Sequence, residues 1–220
     1  MNVSSYETDI LEILHNIKHQ IPETRAHTLI PVYDNGVRVA HLRLITSADL
    51  GRPELIQLLA KWRTVHEHWF PAQFKVTAEG TKRWLELGVL ECKDRILFML
   101  EDERNQPIGH MGFYRFNFAE RHCEIDNVVR GEAAKPGIMT PALQALMRWG
   151  LDVFQPAELR LSTYAENDKA ISLYKRCGFE PYDKTPLVAS RTPERVDWVP
   201  AKAGQEGERY SLWMRFKPNQ

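Results

Sequence analysis

The sequence predicts an α/β sandwich built on a mixed sheet. Three observations carry this. Residues 93–130 read as three consecutive strands joined by turns: RILFMLED, IGHMGFYRFNF and HCEIDNVVR. Residues 139–154 then place Met139, Leu143, Leu146, Met147, Gly150 and Phe154 on one helical face. That helix lies between HCEIDNVV and ELRLSTY, so a β–α–β crossover makes those two strands parallel neighbours.

The other elements follow in order. Residues 6–20 form an amphipathic helix with Ile10, Leu11, Leu14 and Ile17 on one stripe. HTLIPVY and VRVAHLRLIT flank Asp34-Asn35-Gly36, a hairpin turn that wants positive φ angles. A helix is expected from Ser47 to about Val65, burying Leu55, Ile56, Leu59 and Trp62, and another over 77–87 capped near Thr77. Residues 168–177 form a short helix stopped by Gly178. Residues 188–207, rich in Pro, Gly and charge, read as a mobile loop before the closing strand ERYSLWMRF.

Composition narrows the function classes. The chain has 220 residues, 43% hydrophobic and 26% charged, enough to bury a core without staples. Its 29 basic residues match 29 acidic ones, so the balance gives no sign of nucleic-acid binding. Three scattered cysteines without a CxxC pair predict reduced thiols and a cytoplasmic protein. No apolar run approaches a membrane span, and the N-terminal segment has neither a basic n-region nor an apolar h-region.

Two stretches could carry chemistry. One is the junction Asn127-Val-Val-Arg130-Gly-Glu-Ala-Ala-Lys-Pro-Gly137-Ile-Met-Thr. Free N–H groups at the start of the following helix suit a pyrophosphate, and Lys135 and Arg130 could add charge. The plainer reading is an ordinary strand-to-helix turn. It is neither a P-loop nor a Rossmann fingerprint. The other stretch is Asn167-Asp-Lys-Ala-Ile-Ser-Leu-Tyr174-Lys-Arg-Cys-Gly178-Phe179, in which Tyr174 stands two turns after Asn167 on the same face. Tyr174 is either a proton donor or a core aromatic.

Together these stretches resemble the GNAT family of acetyl-CoA-dependent N-acetyltransferases, over roughly residues 39–188. The motif Asn-x-x-Ala-x-x-x-Tyr-x-x-x-Gly-Phe is complete in Asn167, Ala170, Tyr174, Gly178 and Phe179. The motif Gln/Arg-x-x-Gly-x-Gly/Ala falls on Ala134 to Met139, where Gly137 matches but Ala134 and Met139 depart. At finer grain, LLAKWR, RILFMLED, IGHMGF and DNVVRGE…PGIM look like members that acetylate nucleotide-linked amino sugars.

The resemblance implies a mostly antiparallel central sheet, helices on both faces and a splayed pair of parallel strands. It makes 1–38 an N-terminal helix-and-hairpin extension and 39–220 the acyl-CoA N-acyltransferase domain. Acetyl-CoA would be held by Asn127, Val128, Val129 and Arg130, by Lys135, Pro136, Gly137, Ile138, Met139 and Thr140, and by Asn167, Lys169, Ala170 and Tyr174. Tyr174 would protonate the departing thiolate, and the N–H of Val128 or Val129 would stabilise the oxyanion.

The base is less determined. His122, Glu124 and Asp126 alternate along one strand and share a face. Glu124 is the first choice, with His122 and Asp126 behind it; His110 is a further candidate, for which a hydrogen-bonded structural histidine is the plainer reading. Trp62, Arg63 and Phe70, with His110, His122 and Asp126, are expected to line the acceptor pocket. The His66/His68 pair lacks further metal ligands, so no metal is expected. The expected partner is a small-molecule amine, and a homodimer stays open. The alternatives are a protein or peptide N-acetyltransferase and a non-catalytic acyl-CoA binder.

Overall fold

A computed structural model of the chain describes residues 3–19, 28–131 and 134–218. The elements are α1 (Val3–Lys18), β1 (Leu29–Asp34), β2 (Val37–Leu44), α2 (Pro53–Val65), β3 (Ala72–Phe74), α3 (Ala78–Leu85), β4 (Ile96–Asp102), β5 (Pro107–Asn117), β6 (His122–Arg130), α4 (Met139–Phe154), β7 (Glu158–Tyr164), α5 (Asp168–Arg176), β8 (Glu180–Arg191), β9 (Arg195–Pro200) and β10 (Arg209–Phe216). The strands form one mixed sheet in the order β1-β2-β4-β5-β6-β7-β10-β8-β9-β3. Only β6–β7 is a parallel pair among them.

Strand β4 shows how the layers are built. Ile96, Phe98 and Leu100 join one core cluster, with α1, α4 and α5, while Leu97 and Met99 join the other, with α2 and α3. The period of two therefore sends its apolar side chains into both faces. Helix α1 belongs to the first cluster through Tyr6, Ile10, Leu14 and Ile17. Leu11, expected on that stripe, is only half-buried. The end of the expected helix at residue 20, His27 of the first strand and residues 132–133 of the loop lie outside the described residues.

Helix α4 packs unusually close to β5. A Cβ on Gly150 would lie 2.3 Å from Cζ of Phe113, so the ring occupies the space a side chain would need. The helix expected from Ser47 is broken: a 3-10 turn covers Ser47–Gly51, and α2 begins afresh at Pro53. Proline disfavours helical backbone in the residue before it, and Arg52 stands at φ −109°, ψ 88°. Helix α3 is capped by Thr77, whose hydroxyl accepts from the Gly80 N–H at 3.0 Å. It then widens into a π-type turn, Glu86–Leu90.

The expected mobile loop at 188–207 is corrected. Its first half is the hairpin β8–β9, and Pro193 and its neighbours form the turn, closed by Thr192 N–H to the Arg195 carbonyl at 2.8 Å. The charges sit on its exposed face, with Arg191 bonded to Glu208 at 2.8 Å and Arg195 to Asp197 at 2.6 Å. A peripheral strand half-open to solvent carries too few apolar residues to read as one. Beyond it, β9 pairs with β3, so the sheet ends on the segment that follows α2.

Candidate active site

The site begins at a break in the sheet. The parallel ladder between β6 and β7 covers only His122 to Glu124 against Glu158 to Arg160. On the other edge of β6, Val129 stands opposite His110 while Asp126 stands opposite Gly112, so β6 carries one extra residue there. Asn127 lies in that bulge at φ +50°, a left-handed conformation that non-glycine residues seldom adopt. Two bonds hold it. His110 Nδ1–H donates to the Asn127 carbonyl at 2.8 Å, and Asn127 Nδ2 donates to Asp126 at 2.8 Å. From Asp126 onward, the β7-facing edge of β6 has no strand partner among the described residues.

A strap crosses the open ends of these two strands. His66 Nε2–H donates to the Arg130 carbonyl at the end of β6 (3.0 Å), and the Tyr164 hydroxyl at the end of β7 donates to the Phe70 carbonyl (3.1 Å). Between them, Arg209 of β10 donates to the His68 carbonyl at 3.1 Å and to His68 Nε2 at 3.2 Å. Both histidines therefore fasten the strap. The Trp198 N–H of β9 donates to the Pro71 carbonyl at 2.8 Å, continuing the fastening into β3.

The three acidic-or-basic residues of β6 do share the face covered by α2 and α3, since Cys123 and Ile125 point into the opposite core. They differ in how free they are. Asp126 is tied to Arg95 at 2.6 Å as well as to Asn127. His122 lies against Arg160 (3.3 Å), and burial, then that cation, push its pKa down. Glu124 has one exposed partner, Arg115 at 3.2 Å, and burial raises its carboxyl above the ordinary value. Glu124, His122, Arg115 and Asp94 line an open cleft of about 620 Å³.

Two expected acceptor contacts are corrected. Trp62 is 2% exposed, wedged against His110 and against Gly131, where a Cβ would lie 2.5 Å from its ring. It is a core residue, on the buried stripe with Leu55, Ile56 and Leu59 that the sequence predicts. His110 is also buried, its Nδ1 spent on Asn127, and burial pushes its pKa down to about 4. It is neutral at pH 7 and does not project into the cleft. Arg63 and Phe70 do come together, the guanidinium 3.9 Å from the ring centroid.

On the other face, Tyr174 is buried, and no hydrogen bond joins its hydroxyl to the described residues. Burial raises its phenol further above its usual value, and the charges of Cys177 and Asp126 add to that. Asn167 caps α5, its Oδ1 accepting from the Ala170 N–H at 3.2 Å. Lys169 is exposed and Ala170 half-buried. In the loop before α4, Lys135, Pro136 and Gly137 are exposed, and Gly137 has φ +85° with open space where a Cβ would be. The Ile138 and Thr140 N–H groups bond to Lys135 and Gly137 carbonyls, while those of Gly137 and Met139 have no backbone acceptor among the described residues. Ala134 and Met139, where the motif departs, are buried beneath the loop and belong to the core. Arg130 folds back onto the Ala134 carbonyl at 2.8 Å. A cleft of about 390 Å³ lies between Lys135 to Thr140 and the β1–β2 turn at Tyr33 to Asn35.

Sequence reasoning missed Arg95, Arg160, Tyr164, Trp198 and Arg209. Each lies on an element distant in sequence, and no local spacing brings it to the cleft.

Residues 40–180 match the acetyltransferase (GNAT) domain. The chain belongs to the GNAT acetyltransferase family. GNAT enzymes use acetyl-CoA as co-substrate and transfer its acetyl group to amines. The sequence is similar to spermidine N(1)-acetyltransferase of Vibrio cholerae, 22% identical over 138 residues, or 63% of this chain and 77% of that protein. The fold is similar to that of spermidine N-acetyltransferase from Vibrio cholerae in complex with CoA and spermine (TM-score 0.60, 15% identity, 80% of this chain and 94% of that one). It is also similar to a ribosomal L7/L12 alpha-N-protein acetyltransferase in complex with coenzyme A (TM-score 0.63, 15% identity, 86% and 97%). A probable GNAT acetyltransferase from Chromobacterium violaceum gives 0.62 at 16% identity over 82% and 84%. None of these is named for an amino sugar. Among the described residues no helix is long and apolar enough to cross a membrane, and no cluster of three or more His, Cys, Asp or Glu could hold a metal.

Proposed function

We propose that the protein acetylates a primary amine of a small molecule by direct attack in a ternary complex. The observation that carries this reading is the unladdered edge of β6 between Asp126 and Arg130, with Glu124 on the α2 side and Tyr174 on the α4 side. The residues fit acetyl-CoA: the free strand edge suits the pantetheine arm, and the exposed loop at Lys135 to Gly137 suits its pyrophosphate. Asn127 to Arg130, Lys135 to Thr140 and Asn167, Lys169, Ala170 and Tyr174 would hold it.

Bound acetyl-CoA supplies a thioester carbonyl and a thiolate leaving group. An alkyl ammonium titrates near ~10 and must lose a proton before attack. Glu124, raised by burial, would accept it. The N–H of Val128 or Val129 stabilises the oxyanion. Tyr174, kept protonated by burial, donates to the thiolate. A cysteine nucleophile is disfavoured, because burial raises all three thiols, Cys177 to about 11.

The strap and the β8–β9 hairpin cover the acceptor side, which favours a small acceptor over a peptide. Flat rings beside Arg63 (Phe70 at 3.9 Å, Phe74 at 5.2 Å) support an amino sugar on a nucleotide carrier. A polyamine is the second reading, supported by Glu7, Asp94 and Glu124 sharing one cleft. A thiol-release assay against nucleotide-linked amino sugars, polyamines and peptides tests this. Release driven only by peptides would favour a protein acetyltransferase. No release with any amine, despite acetyl-CoA binding, would favour a non-catalytic binder.

A further inference from the structure

Arg95, just before β4, joins two elements through one guanidinium. Its side chain is 13% exposed. Nε and Nη2 both donate to Oδ2 of Asp126 on β6, at 2.8 and 2.6 Å. Nη1 donates to the Gly88 carbonyl at 2.9 Å, in the π-type turn that follows α3. The last carbonyls of a helix have no intrahelical partner, so Arg95 satisfies one of them while it holds Asp126. The ring of Tyr114 on β5 steadies the guanidinium, 4.3 Å from its centroid.

The same Asp126 oxygen accepts a third bond, from Asn127 Nδ2 at 2.8 Å. Asn127 is the residue at φ +50° in the bulge. Asparagine enters that left-handed region because its short amide can bond locally, and here the local acceptor is the oxygen that Arg95 holds. The Asn127 carbonyl is taken by His110. A trans peptide points its C=O and N–H in opposite directions, so the Val128 N–H points away from His110. His110 thus fixes one end of that peptide plane, and Arg95, through Asp126, fixes the side chain beside it. The link reaches toward the reacting centre: burial, then the charges of Cys177 and Asp126, raise the Tyr174 phenol. We propose that Arg95 is a positioning residue for acetyl transfer, which clamps Asp126 against Asn127 and so aims the Val128 N–H at the thioester oxygen. The proposal rests on the acetyltransferase reading and adds to its site a residue that acts through two others. A plain brace between α3 and β6 would cost stability when broken and leave the bound carbonyl unchanged.

Infrared difference spectra of acetyl-CoA, labelled with carbon-13 at the acetyl carbonyl and bound without an amine, read that aim. An N–H bonded to the carbonyl oxygen moves its band to lower frequency than in free acetyl-CoA. Wild type is expected to show the displaced band, and Arg95→Met to lose most of the displacement. With the preferred amine, kcat in Arg95→Met falls on the order of 10²-fold. The amine KM and the calorimetric Kd for acetyl-CoA change less than about threefold. Arg95→Lys keeps the charge but offers one donor point in place of a fork, so its band and kcat lie between. Asp126→Ala gives the losses of Arg95→Met, and the double variant loses no more than Asp126→Ala alone. A band equally displaced in wild type and Arg95→Met overturns the proposal, and so does a loss confined to KM or Tm. A displaced band in Asp126→Ala also overturns it, because Asp126 is then a base and not a link. If Arg95→Met does not fold, Arg95→Lys decides, and a wild-type band and kcat there overturn the proposal. If no amine is acetylated, the acetyltransferase reading fails, while a displacement that Arg95→Met removes still supports the positioning. An undisplaced band in wild type removes it.

Discussion

His110 Nδ1–H donates to the carbonyl of Asn127 across 2.8 Å, and that bond pins the one left-handed residue in β6. The bulge it holds lies just beyond the point where the β6–β7 ladder stops. A buried, neutral histidine thus keeps open the strand edge on which the proposed chemistry depends.

Stability should report this bond. The His110 pKa is about 4 in the folded chain, against an ordinary 6.5. The unfolded state therefore binds the extra proton between those values, and stability falls as pH drops from 6.5 toward 4, by on the order of 3 kcal/mol in all. His110→Asn keeps a donor but not the titration. Urea midpoints at pH 7 and pH 5 should show wild type losing about 2 kcal/mol more than His110→Asn. Equal losses would contradict the assignment.

Tyr174→Phe keeps the ring that packs against Phe179 (centroids 6.2 Å apart) and removes a hydroxyl that no described residue binds. Stability should change little, while kcat falls on the order of 10²-fold with acetyl-CoA affinity retained. Unchanged turnover with the true amine would leave Tyr174 as a core aromatic.

Glu124 predicts the acid limb of the pH–rate profile. Only its deprotonated form accepts a proton, and burial raises its pKa. The limb should therefore lie above the ordinary carboxylate range, and Glu124→Gln should abolish it with a large loss in kcat. If the limb persists in that variant, the base lies elsewhere.

Tyr164→Phe cuts the strap from β7 by removing the hydrogen bond to Phe70. The expected stability cost is about 1 kcal/mol. Acceptor KM should rise severalfold while calorimetric affinity for acetyl-CoA stays constant. Equal effects on both ligands would mean that the strap does not bound the acceptor side.

Gly150→Ala forces a methyl into the ring of Phe113. Overpacking at such a contact costs about 1–3 kcal/mol, so Tm should fall. An unchanged Tm would mean that α4 can move away from β5 at little cost.

The parts of this molecule legible from sequence are those written in local chemistry. The Asn167 cap, the Tyr174 face and the Gly178 stop (φ +89°) lie within thirteen residues, and the helix formed as read. The α4 stripe gave Met139–Phe154 to the residue. The bulge at Asn127 left no such trace, because its cause is a histidine seventeen residues away. Trp62 has two readings in the sequence, a place on the buried stripe and an acceptor contact, and the first holds because Gly131 admits its ring to the core. The β8–β9 hairpin was hidden by its solvent face, and the strap by depending on contacts from β6, β7, β9 and β10.

The most direct test of direct transfer is the initial rate of thiol release, measured across a grid of acetyl-CoA and amine concentrations with the preferred acceptor. Attack within a ternary complex, with Glu124 and Tyr174 acting across the β6 edge, predicts intersecting double-reciprocal lines. Parallel lines, with acetyl label retained on the protein after gel filtration, would contradict it.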